Sequence, residues 1–80
     1  MIYMNELGIM QKANIQEIKS DNILKSRLYD LGLCEGVDVQ CLGESPLRDP
    51  RAYLIGGAVI ALRNADCSQI AVAPYRTNDI

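Results

Sequence analysis

The longest stretch without a charged residue runs from Ala52 to Leu62, eleven residues, and Gly56-Gly57 cuts it in two. A bilayer span needs roughly twenty apolar residues, so nothing here is read as a membrane-spanning segment. Each half of the stretch has the length of a strand and is too short for a stable helix. Two glycines between such runs tolerate the positive φ of a tight primed turn. Ala52 to Ile55 and Ala58 to Leu62 are therefore expected to form a hairpin, buried on both faces.

The rest of the chain is cut just as short. Ala13, Ile15 and Ile18 start with a period of two and then slip by one, as in a strand over Ala13 to Lys19 with a bulge near Gln16. Ser20-Asp21-Asn22 is a cluster of helix N-cap formers, and Leu24, Leu28 and Leu31 recur at i, i+4 and i+7 behind it. A helix from about Asn22 to Leu31 follows. Gly32 stands where a left-handed C′ residue is wanted, and Leu33 is placed to touch Leu28 one turn back. Glu35-Gly36 suits a turn, after which Val37, Val39 and Cys41 alternate with Asp38 and Gln40 as a half-buried strand. Gly43 to Pro50 holds Ser45-Pro46 and Asp49-Pro50, a conformationally restricted loop. Asn64 is expected to cap a helical turn reaching Gln69, Ile70-Ala71-Val72 to form a last strand before Pro74, and residues 75–80 to fray. Leu28, Val39, Ile60 and Leu62 are expected in the core, with Cys41 buried beside them and Cys67 packed on the helical turn.

Five short strands so connected fit a small, mainly β, SH3-like barrel. One helix is inserted after the first strand and a short helical turn precedes the last. Closing the sheet would remove its open edges. Eighty residues make one small domain.

Composition narrows the function. Eight basic against ten acidic residues give a net charge of −2, the wrong sign for a phosphate-backbone partner. Four Tyr without Phe or Trp leave few stacking platforms for single strands, so nucleic acid is not an expected partner. The absence of His removes the commonest general base and the commonest divalent metal ligand. Cys34, Cys41 and Cys67 are odd in number and match neither a disulfide framework nor a zinc pattern. Free thiols in a reducing compartment are expected, and Cys34 sees the wrong end of a helix dipole for a nucleophile. No catalytic residue, metal ligand or cofactor is assigned. The opening Met1-Ile2-Tyr3-Met4-Asn5-Glu6 has neither the basic nor the apolar region of a secretory signal, so the expected location is cytoplasmic.

The ordered set Arg27-Leu28-Tyr29-Asp30-Leu31-Gly32-Leu33, Gly36-Val37-Asp38-Val39, Pro46, Asp49-Pro50, Gly57, Ile60-Ala61-Leu62-Arg63, Ala65 and Ile70 resembles the FeoA family. The opening Asn5-Glu6-Leu7 also fits, so the likeness runs from about Met4 to Val72. In the family's pattern Gly32, Gly36, Pro50 and Gly57 are structural. Two positions depart from it. Met10 stands where members commonly carry Gly, in the turn before the first strand, and Arg48 stands where a small residue is frequent. The resemblance implies a domain over residues 1–74, a cytosolic, non-enzymatic accessory protein of ferrous iron uptake. It also implies docking onto FeoB, the membrane GTPase permease of that system, without insertion into the bilayer. The alternatives are a stand-alone SH3-like regulatory domain related to metal-dependent transcriptional repressors, or a metallochaperone carrying ferrous iron, which the missing His disfavours.

The expected docking face lies between the helix and the proline-containing loop. Its contacts would come from Arg27, Tyr29, Leu33, Arg48 and Tyr53, a mixture of Arg and Tyr anchors with apolar neighbours. Leu33 reads first as the apolar contact of the helix end and Arg27 first as the partner of Asp30 in a surface ion pair, while the loop reads equally as a turn whose prolines restrict the unfolded chain.

Overall fold

A computed structural model describes residues 1–76. Its elements are β1 (Ile2–Tyr3), a 3-10 turn (Met4–Glu6), β2 (Lys12–Ile18), α1 (Asn22–Asp30), β3 (Asp38–Glu44), β4 (Arg51–Ile55), β5 (Ala58–Leu62), α2 (Asn64–Cys67) and β6 (Ile70–Pro74). The strands form one antiparallel sheet in the order β1-β6-β2-β3-β4-β5. The architecture is the expected mainly β one, with six strands instead of five. The additional strand is β1, two residues long and paired with Ala71 and Val72 of β6. The ladder does not close among the described residues: β1 and β5 are its free ends.

Local signals in the sequence account for most of the element boundaries. The Asp21 carboxylate accepts from the Leu24 N–H at 2.9 Å and caps α1. At the other end Leu33 N–H donates to Leu28 O and Gly32 N–H to Tyr29 O, both at 2.9 Å. This is a Schellman end with Gly32 at φ 95°. The register of β2 against β6 slips between Ile15 and Glu17, which puts the bulge at Gln16. Gly56 and Gly57 both have positive φ, the signature of a type I′ hairpin turn.

The core gathers Leu28 and Leu33 around the inner faces of the sheet: Ala13 and Ile15 of β2, Val39 and Cys41 of β3, Tyr53 and Ile55 of β4, and Ile70 and Val72 of β6. Met4 and Leu7 enter it from the N-terminal segment. Three expectations are corrected. The hairpin is not buried on both faces: Ala58, Val59 and Ala61 are exposed, and Ile60 is only partly covered, because β5 is an edge strand whose outer face carries no layer and whose inner face lies at the margin of the core. Asn64 is not the cap of α2. Arg63 holds that position, and the Asn64 N–H donates to Asp49 Oδ1 at 2.9 Å, so the cap comes from the proline-containing loop. Tyr75 does not fray: its N–H donates to Lys12 O and its hydroxyl to Asp38 Oδ1. The rest of the expected tail, residues 77–80, lies outside the described residues.

Both departures from the family's pattern fall on left-handed backbone. Met10 has φ 69° and Arg48 φ 65°, a conformation that costs a residue with a Cβ roughly 1–3 kcal/mol. Met10 is pinned on both sides, its N–H donating to Cys41 O and its carbonyl accepting from Gln40 Nε2. Arg48 is held in the same way by Ser45 O and Asn64 Nδ2.

Two outcomes test this packing. A Cβ at Gly32 meets Ile55 only at ordinary contact distance, 3.9 Å, so Gly32→Val is opposed by conformation and not by space. It should cost more than about 1 kcal/mol in a thermal melt, and an unchanged melt contradicts the assignment. Burial pushes the Cys67 thiol up from 9.0 to about 11. A raised folded-state value gives stability that is complete below the unfolded value and is lost as pH rises through the folded one. Stability should therefore fall between about pH 9 and about pH 11. Urea titrations across that window should show a shallower fall in Cys67→Ala, and equal slopes contradict the reading.

Candidate functional site

The residues proposed from sequence do not form one face. Leu33 and Tyr53 have no exposed surface. Side chains without surface touch no partner, so both belong to the core: Leu33 closes the helix end, and Tyr53 donates its hydroxyl to Met4 O at 3.3 Å. Arg27 and Tyr29 are exposed on α1, but Arg27 makes no ion pair with Asp30 among the described residues. The Tyr29 hydroxyl donates to Glu35 Oε1 at 2.7 Å, with Lys25 Nζ 3.9 Å from Oε2. That hydrogen bond, assisted by Lys25, holds the Glu35 carboxyl below its usual range. Arg48 lies in a separate cluster at the loop, 3.7 Å from Glu44, with its side chain almost wholly in solvent. Among the described residues no hydrogen bond or ion pair joins the helix cluster to the loop cluster.

A different surface gathers convergent polar groups. The strand registers set Lys12 opposite Gln40, Gln40 opposite Leu54 and Leu54 opposite Val59, a row crossing β2, β3, β4 and β5 on the outer face of the sheet. Beside the row, Lys12, Asp38, Val39, Gln40, Leu54, Gly56 and Gly57 line a cleft of about 200 Å³. Alternation builds it: Val39 and Cys41 point into the core, so Asp38 and Gln40 point out. The positive φ of the hairpin glycines turns the chain at the cleft's end. Asp38 Oδ1 accepts from Asn14 Nδ2 at 2.9 Å and from the Tyr75 hydroxyl at 2.7 Å. These bonds, the Asn14 one foremost, with Lys12 adding its charge, keep Asp38 ionised below the ordinary carboxylate range.

The cleft thus offers an ammonium, a carboxylate fixed in its charged form, an amide and a strip of apolar surface. That set hydrogen-bonds and grips; it contains no nucleophile paired with a base. Cys41 and Cys67 are buried, and among the described residues no three His, Cys, Asp or Glu side chains gather as a metal site. Among the described residues no helix is long and apolar enough to cross a membrane. Sequence reading missed the cleft because it depends on register between three strands. The alternating Asp38 and Gln40 were its only local trace.

A depressed folded-state pKa contributes stability that is present above the unfolded value, about 3.9 for Asp, and is lost as pH falls through the folded one. Acid titration followed by NMR should place the Asp38 carboxyl below that of a free aspartate, and Asn14→Ala should move it upward. A carboxyl that titrates normally, or ignores Asn14→Ala, contradicts the hydrogen-bonded geometry.

A family model described as the FeoA domain matches residues 2–74. In three dimensions the chain is similar to the FeoA protein from Chlorobium tepidum, with a TM-score of 0.88 and 24% identity over 98% of this chain and 74% of that one. It is similar to the zinc-complexed FeoA of Stenotrophomonas maltophilia, described as a procaryotic SH3 domain protein, with a TM-score of 0.76 and 22% identity over 95% and 98% of the two chains. The fold also matches part of IdeR from T. acidophilum, with a TM-score of 0.79 and 20% identity over 90% of this chain and 33% of that one. No curated protein matches the sequence.

Proposed function

The chain belongs to the FeoA domain family, and from that premise we propose that it is a non-enzymatic accessory protein of ferrous iron uptake, working in the cytoplasm by docking onto the membrane GTPase permease FeoB. The family is linked to ferrous iron transport, and the observation that supports docking over chemistry is the cleft. A fixed carboxylate, an ammonium and an apolar strip along one strand row suit an extended segment of a partner. In this reading Asp38 receives a backbone or basic donor of the permease, Lys12 an acceptor, and Leu54 an apolar side chain. Arg27, Tyr29 and Arg48 are exposed and lie outside the cleft.

One observation favours a second reading, the fit of the same fold to a third of IdeR. There the chain would be a regulatory domain related to metal-dependent repressors, and its partner a repressor domain.

Capture of detergent-solubilised permease by the immobilised protein separates these possibilities. Lys12→Glu with Leu54→Ala should weaken capture by about tenfold or more, equivalent to ~1.4 kcal/mol, whereas Arg27→Ala with Arg48→Ala should leave it near the parent's. The reverse pattern moves the docking face to the helix and loop. A parent protein that captures no permease overturns the reading itself.

A further inference from the structure

The two free ends of the sheet are treated differently. At one end β1 is only two residues long, and a short edge offers little to pair with. At the other, β5 presents five residues in unbroken register with β4 and no strand beyond it among the described residues. It is Ala58-Val59-Ile60-Ala61-Leu62, without a charge, a proline or a bulge, the devices that usually protect an edge. Val59 is 66% exposed.

The inner face at this edge is unfinished as well. Register places Arg51, Tyr53 and Ile55 of β4, all buried, beside Leu62, Ile60 and Ala58. Burial decays along that face, from Leu62, which is buried, through Ile60, which is partly covered, to Ala58, which is open to solvent. Unpaired backbone groups and uncovered core-face side chains thus coincide on one strand.

We propose that β5 pairs with β5 of a second copy of this chain, antiparallel about a two-fold axis at Ile60. The strand is self-complementary in that arrangement. Ile60 meets Ile60, Ala58 meets Leu62, and Val59 meets Ala61, so the partly covered inner face of each copy is continued by the other. The charges agree too. The same register sets Arg63 opposite Gly57 and Asn64 opposite Gly56, so no like charges are placed directly across the pair. A partner strand carrying charge at the central positions would lack this match, which is why a second copy is the occupant. The contact adjoins the cleft lined by Lys12 and Asp38, since Gly56 and Gly57 border both and Val59 ends the strand row that crosses it.

Sedimentation equilibrium from micromolar to millimolar concentration, joined to isotope-filtered NOE measurements on a mixed labelled and unlabelled sample, tests the pairing. The expected result is a concentration-dependent dimer with intermolecular NOEs between Val59 and Ala61. Val59→Lys, at an exposed position, places two ammonium groups diagonally across the pair and should raise the dissociation constant at least tenfold. Ala61→Glu provides an independent variant with the same expectation. A chain that stays monomeric throughout overturns the proposal, as does a dimer indifferent to both substitutions or lacking those NOEs. A monomer whose β5 amides shift only when the permease's soluble part is added assigns the edge to that partner instead and likewise overturns it.

Discussion

Among the described residues the guanidinium of Arg51 is the one charged group taken into the interior, with 6% of the residue exposed, and a buried charge persists only if its donors are met. Here they are met mainly by backbone. Nη1 donates to Asn5 O at 2.8 Å and Nη2 to Leu7 O at 2.6 Å. Nε lies 3.4 Å from Glu44 Oε2, an ion pair whose N–H is not aligned as a hydrogen bond. The Tyr53 ring lies 6.0 Å from the guanidinium carbon, and its own hydroxyl reaches Met4 O. Two side chains of β4 therefore hold three carbonyls of the segment Met4 to Leu7. That grip brings Met4 and Leu7 into the core and sets β1 beside β6. In a domain this small, two fully buried apolar side chains are a large part of what makes folding favourable. Leaving a buried carbonyl without its donor costs of the order of 1–3 kcal/mol.

The consequences reach the outer surface. With the N-terminal segment fixed, the turn into β2 runs alongside β3, with Met10 in left-handed backbone held by Cys41 O and Gln40 Nε2. Gln40 thereby serves the fold with its amide and the cleft with its position. The loop before β4 is constrained in a comparable way. Asp49 caps α2, Arg48 O accepts from Asn64, and Glu44 stands between Arg48 and Arg51. The candidate cleft and the buried cation are thus opposite sides of the same three strands.

What could be read from the sequence was local. The capped helix, its end at Gly32, the bulge at Gln16 and the turn at Gly56-Gly57 each rest on interactions within a few residues, and their order along the chain suggested the SH3-like architecture to which the family resemblance was then added. What could not be read was non-local. β1 is too short to show a period, and its place depends on Arg51, more than forty residues away in the chain. Tyr53 looked like an interface anchor because Tyr and Arg dominate interface energetics, yet a carbonyl inside the protein satisfies its hydroxyl. Leu33 offered two readings, and the core took it. The left-handed Met10 and Arg48 had no local signal beyond departing from the family's pattern, and the cleft arises only once three strand registers are fixed.

The Arg51 fork anchors the N-terminal segment, and Arg51→Lys keeps the charge while removing the fork. Native-state hydrogen exchange should then show protection of the Ile2, Tyr3 and Leu7 amides falling at least tenfold, while the amides shared by β2 and β3 keep theirs. Protection that is unchanged in the N-terminal segment, or that falls equally throughout the sheet, contradicts that anchoring.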